Sequence, residues 1–269
     1  MRTTIVAAAL ATGFGLALPL IATVQPEPVT YHDMSVIPIA PYGPYPEARA
    51  IVAGNSSLII FKVVPGYHQA IHHHDQEQVS MNLGGSLGYS IGGVVHQLGA
   101  RSAVLPPSNV EHGMFNDSDQ PTTGFEYQPV RRTEWLPPHP PQAPPQPQSP
   151  TPLPLPANQP VAIDFDWSSS GWRVQTNGAR VKVLSGQTIR ATFCDLSQPG
   201  AAIDVAAATS TRERFVFVVD GQVTSRVGST SRAVSREMLI EIPPSSKDVG
   251  MTSLGKGRAL IVIFEYIGR

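Results

Sequence analysis

The chain has 269 residues, 41% hydrophobic and 14% charged, with a formal net charge of -1. That length suits two domains of ordinary size, and the composition excludes a chain disordered throughout. No basic face is implied, so nucleic acid is excluded as an expected partner.

Met1-Arg2-Thr3-Thr4 is a short positive start, and Ile5 to Ala22 is apolar, small-residue rich and uncharged. This pattern predicts a signal peptide over residues 1–24, cleaved near Ala22 to Gln25, and hence a periplasmic or secreted protein. An uncleaved membrane anchor is the alternative, although Pro19 and two glycines weaken it. The chain has one cysteine, Cys194, so no intrachain disulfide can form, and buried filler is its expected role.

From residue 25 onward the pattern is of strands. Ser57–Val64 and Ser86–Ile91 are rich in β-branched and aromatic residues and are bounded by Gly, Pro or Asn. Between them lies Gly66-Tyr-His-Gln-Ala-Ile-His-His-His-Asp-Gln-Glu-Gln78. Side chains alternate faces on a strand, so His72 and His74 share a face and His73 opposes them. Gln78, Ser80 and Asn82 keep that parity, whereas Val79, Met81 and Leu83 take the other. A turn near Asp75 would leave Glu77 as the alternative fourth ligand. Taken alone, three consecutive histidines also fit a solvated surface run. Farther on stands Pro107-Ser-Asn-Val-Glu-His112-Gly-Met-Phe-Asn116, which supplies a third histidine.

Residues 136–160 break the pattern. Twelve of the residues from Pro137 to Pro160 are proline, which predicts an extended, semi-rigid spacer. The segments on either side, 25–135 and 161–269, resemble each other in four ordered blocks. Ala48-Arg49 to Pro65-Gly66 answers Ala179-Arg180 to Pro199-Gly200, and Asn82–Leu87 answers Val218–Val223. Leu105-Pro-Pro-Ser108 answers Ile242-Pro-Pro-Ser245, and Phe125-Glu-Tyr127 answers Phe264-Glu-Tyr266. This predicts an all-β chain of two duplicated jelly-roll barrels. In the same alignment His72, His74, Gln78 and His112 fall on Ala208, Ser210, Arg214 and Val249, so the second half should be metal-free. Glu126 and Tyr127 are repeated there as Glu265 and Tyr266, which favours a shared structural use over catalysis.

The two histidine segments resemble the motifs of the cupin superfamily. The first is Gly66, His72-x-His74, Gln78 and then Gly84 or Gly85. The second is Pro107, Asn109 where the family has Gly, His112 and Asn116. Asn tolerates the left-handed turn that Gly usually supplies. The resemblance implies a two-domain cupin with a metal-binding first barrel and a degenerate second one. It implies one divalent transition metal, Zn, Fe, Ni, Cu, Co or Mn, on His72, His74, Gln78 and His112. Glutamine at position 78 leaves the metal's charge uncompensated. The resemblance then leans to lyase, isomerase or cyclase chemistry on a small oxygenated substrate, such as a sugar acid or polyketide-like molecule. Iron- or copper-dependent dioxygenases, and a non-catalytic metal- or sugar-binding protein, are the other two readings. His68 and Asn82 are the candidate proton-handling groups, with His68 and Tyr67 expected near a barrel mouth. Whether the barrels face each other within one chain or are exchanged in a homodimer stays open.

Overall fold

A computed structural model describes residues 28–42, 45–53, 56–129, 152–206, 213–244, 246–255 and 257–268. The expected signal segment, most of the proline-rich stretch, Ala208 and Ser210 lie outside them. Among the described residues, apart from one 3-10 turn, Met34–Val36, the regular elements are all strands. The runs read at Ser57–Val64 and Ser86–Ile91 form the strands Ser56–Val63 and Leu87–Ile91.

The strands form four antiparallel sheets, two of seven strands and two of four. In the first half, Ser56–Val63 pairs with Thr122–Pro129, which pairs in turn with Val79–Gly84. A smaller sheet carries Tyr67–His68, His112–Asn116, Leu87–Ile91 and Val94–Leu98. Phe61, Val63, Leu87, Tyr89 and Met114 fill the space between these two sheets. The second half repeats the plan. Val216, Val218, Val249, Met251, Ile261 and Ile263 close its interior with aliphatic side chains.

The outer faces of the two large sheets pack on each other. Phe125 stacks on Phe217 with ring centroids 4.3 Å apart, and Tyr127 on Phe264 at 4.8 Å. This third core contains Val79, Met81, Phe193 and Phe215, all buried. The period-2 alternation explains it, since each large sheet has one face for its own barrel and one for its neighbour. Tyr127 therefore belongs to the contact between barrels, with its hydroxyl accepting a bond from Ser56 at 3.2 Å. Within this chain the two barrels face each other through these sheets.

Each barrel is completed by a strand from the other's segment. Thr30–Asp33 adds to the second barrel beside Met238–Ile242, with Tyr31 opposite Ile240. Ala162–Asp164 adds to the first beside Ser102–Val104, with Ile163 opposite Ala103. The boundaries at 25–135 and 161–269 therefore do not coincide with the barrels. The exchange covers two sheet edges that would otherwise present unpaired backbone groups. The end of the proline-rich stretch is not a free spacer either. Leu153 donates its N–H to the Asn109 carbonyl at 2.7 Å, and Leu155 packs on the first barrel's core.

Candidate metal centre

His112 begins its strand and forms a two-bond bridge with His72, N to O at 3.0 and 2.8 Å. Gly113 allows this approach, because a Cβ there would meet Ile71 and the Gln69 carbonyl at 3.1 and 3.3 Å. Asn109 has φ +62° and donates its N–H to the His74 carbonyl at 2.7 Å. The left-handed turn expected of Asn109 thus holds the segment carrying His74. Asn116 lies farther along the His112 strand, where its amide donates to the carbonyls of Val63 and Gln120 and ties down a loop.

These elements bring His72, His74 and His112 together, with one ring nitrogen of each within 4.8 Å of the others. His74 and His112 are buried and His72 is half-buried. Each Nδ1 faces a backbone carbonyl: Ala70 at 3.0 Å, Gln76 at 2.7 Å and Val110 at 2.8 Å. Those carbonyls accept the Nδ1 protons and leave the three Nε2 atoms with lone pairs. Burial pushes all three imidazoles below their usual range, His112 farthest, and each histidine's charge would oppose its neighbours'.

The donor set fits a metal on two observations. The Nε2 of His112 is buried without a hydrogen-bond partner. The Nε2 of His74 faces Oε1 of Gln78 at 3.1 Å, where neither neutral group has a proton to offer. A cation between them satisfies both, and two ligands at right angles on bonds of about 2.1 Å lie roughly 3 Å apart. Gln78 is turned this way by its other end, because its Nε2 donates to the Tyr89 hydroxyl at 2.7 Å.

Glu77 does not compete for the site. The bend at Asp75-Gln76 carries it across to the second barrel. There its carboxylate accepts the N–H groups of Gln187, Thr188 and Ile189 and the Thr188 hydroxyl, at 2.7–3.1 Å. The structure also places the two candidate proton-handling groups. Asn82 is buried, but its amide is fully used: Nδ2 donates to Gly85 and Leu98 carbonyls, and Oδ1 accepts from Gly84 N–H and Thr122. It holds a hairpin and has nothing left for a substrate. His68 pairs with Asp117 at 2.8 Å with both side chains more than 60% exposed, and stacks on Phe115. Strand parity alone cannot tell how deep along a face a residue lies.

Sequence reasoning passed over a polar chain behind Gln78. The Tyr89 hydroxyl lies 3.3 Å from Ser80 Oγ, and Ser80 lies 3.4 Å from Oε2 of Glu126. Tyr45 donates to the same Glu126 oxygen at 2.8 Å. Burial raises the Glu126 carboxyl to about 7, against the bonds from Tyr45 and Ser80, which lower it. The inward parity of Leu87, Tyr89 and Ile91 was legible in the sequence, whereas the partners of Glu126 were not.

Residues 59–125 match the cupin domain family. The first barrel thus contains a cupin domain, and the chain has a two-barrel fold. The chain is 27% identical over 84 residues to an H2HPP isomerase of Bacillus subtilis, a match covering 31% of this chain and 36% of that enzyme. The chain thus spans about a third of that relative's length. Among solved structures it is similar to the oxalate decarboxylase of Lactobacillus farciminis, at TM-score 0.63 and 12% identity, over 88% of this chain and 85% of that one. It is also similar to the salicylate 1,2-dioxygenase of Pseudoaminobacter salicylatoxidans, at TM-score 0.61 and 14% identity, over 93% and 84%. At such identities the likeness shows the two-barrel fold alone.

Proposed function

We propose that this cupin is an exported metal-dependent enzyme of the lyase or isomerase type, acting on a small oxygenated acid at the His72, His74, Gln78 and His112 site. The observation that carries the reading is the neutral fourth donor, the Gln78 carboxamide, turned with its oxygen toward the histidines. A metal held by this set supplies Lewis-acid polarisation of a carbonyl or hydroxyl oxygen. The similarity of 84 residues of the chain to an isomerase agrees with chemistry that needs no external oxidant.

The residues of the chain prepare the site in three ways. The carbonyls of Ala70, Gln76 and Val110 hold the imidazoles as neutral donors. Tyr89 and the aliphatic side chains of Leu87, Ile91 and Met114 exclude water behind them. His72, half-buried, marks the side of the triad open to solvent and hence to substrate.

The test is a screen of β-substituted acids, unsaturated uronates and polyketide-like acids with the metal-loaded protein, with and without dioxygen. Product formed equally without oxygen, and lost in His112→Ala, supports the reading. Turnover only with oxygen uptake overturns it in favour of a dioxygenase, the second reading, to which the similarity to a two-barrel dioxygenase gives weight.

A further inference from the structure

We infer that Glu126 is the positioning residue of the metal centre: through Ser80 and Tyr89 it sets the orientation of the Gln78 carboxamide and so the affinity for metal. The inference rests on the metal-binding reading above. It begins with proton inventory. The Tyr89 hydroxyl has one hydrogen, and it accepts from Gln78 Nε2 at 2.7 Å. Its own hydrogen is therefore free for Ser80 Oγ at 3.3 Å, and Ser80 donates to Glu126 Oε2 at 3.4 Å. Every bond then runs toward the carboxylate, and the chain has one direction as long as Glu126 is ionised.

A protonated Glu126 ends that direction. Its proton can be given to Ser80, the hydroxyls can reverse, and Tyr89 can donate to Gln78. The amide oxygen then turns toward Tyr89, and its NH2 group toward the histidines, where it cannot bind a cation. Glu126 also supplies, three hydrogen bonds behind Gln78, the negative charge that the neutral donor set lacks. Among the described residues no cation pairs with it, and the residues opposite it on the neighbouring strands are Ile59 and Ser80. The titratable groups facing it are Tyr45, Tyr89, Tyr42 and Tyr67, each raised above its ordinary value by burial and by the carboxylate. They stay neutral where Glu126 titrates.

The experiment is titration of the full-length protein with Co2+ between pH 6 and 8, followed by the visible absorption of the bound ion. Wild-type affinity should fall as pH drops through about 7. Glu126→Gln should bind roughly 10-fold more weakly at pH 8, the effect of removing a partner behind a ligand. It should also lose the difference in pH slope, keeping only that of the histidines. Tyr89→Phe cuts the chain without touching the carboxylate and should weaken Co2+ in the same way, so it carries the test if Glu126→Gln does not fold. Wild-type affinity and slope in both variants, with His112→Ala unable to bind Co2+, overturn this inference and spare the metal site. Stoichiometric Co2+ in His112→Ala overturns both.

Discussion

Glu126 and Glu265 occupy the same place in the two barrels, each on the inner face of the central strand of its large sheet. In the second barrel the residues opposite Glu265 on the flanking strands are Arg190 and Arg214. Both guanidinium groups bond to its carboxylate, Arg214 at 2.9 Å. In the first barrel those two positions hold Ile59 and Ser80. One buried carboxylate is neutralised by its neighbours and is structural. The other has only hydroxyls around it, is raised to about 7, and connects to the histidine site. Repetition of a residue in a duplicated fold therefore does not imply repetition of its role. Its cross-strand partners decide that.

The same registers correct the alignment of the halves. Sequence blocks set Arg214 against Gln78, but Arg214 stands opposite Glu265 as Ser80 stands opposite Glu126. The registers shift the match by two positions, which preserves the face. His112 and Val249 do correspond, being opposite Ile91 and Val227.

The most severe way to break the contrast is Ser80→Arg, which gives the first barrel the second one's solution. A cation beside Glu126 removes both its free charge and the chain to Gln78. Metal affinity should fall by roughly 100-fold, at the upper end for partners behind a ligand, measured by competition with a chelator. An unchanged affinity would show that the carboxylate and the site are independent.

The reciprocal change, Arg214→Ser, leaves Glu265 with Arg190 alone. Breaking a buried pair costs several kcal/mol when nothing remains, so about 2 kcal/mol is expected here, read from chemical denaturation at pH 7. Metal binding should not change.

Next in size is the pH dependence of the metal-free protein. An acid raised on folding from 4.5 to about 7 adds stability fully present below 4.5 and lost as pH rises through 7. Three histidines lowered on folding act oppositely: their contribution is present above 6.5 and lost as pH falls. Stability should therefore decline on both sides of a maximum. Glu126→Gln should remove only the alkaline decline and raise the melting temperature at pH 8 more than at pH 5.5. Equal shifts at both pH values would refute the assignment.

The smallest effect concerns the junction of the barrels. Glu77→Gln keeps the shape but replaces a charged acceptor of four bonds from the second barrel with a neutral one. A loss of about 1–2 kcal/mol follows from the difference between charged and neutral hydrogen bonds. Thermal unfolding should then separate into two steps more readily than in the wild type. A single transition at the wild-type temperature would show that the aromatic core alone holds the barrels together.

Local pattern by itself determined much of this protein. Strand alternation placed His72, His74 and Ser80 on one face, the histidine spacing marked the site, and ordered blocks revealed the duplication. These are short-range properties, fixed by the period of a strand and by turn chemistry such as that of Asn109. Tertiary structure alone decided the rest. It sent Glu77 to the second barrel, exchanged Thr30–Asp33 and Ala162–Asp164 between the sheets, and committed the Asn82 amide to its own hairpin. It also surrounded Glu126 with hydroxyls and Glu265 with arginines. The physical reason is that a polar group's role depends on which partners the fold carries to it from distant positions, and desolvation makes those partners decisive.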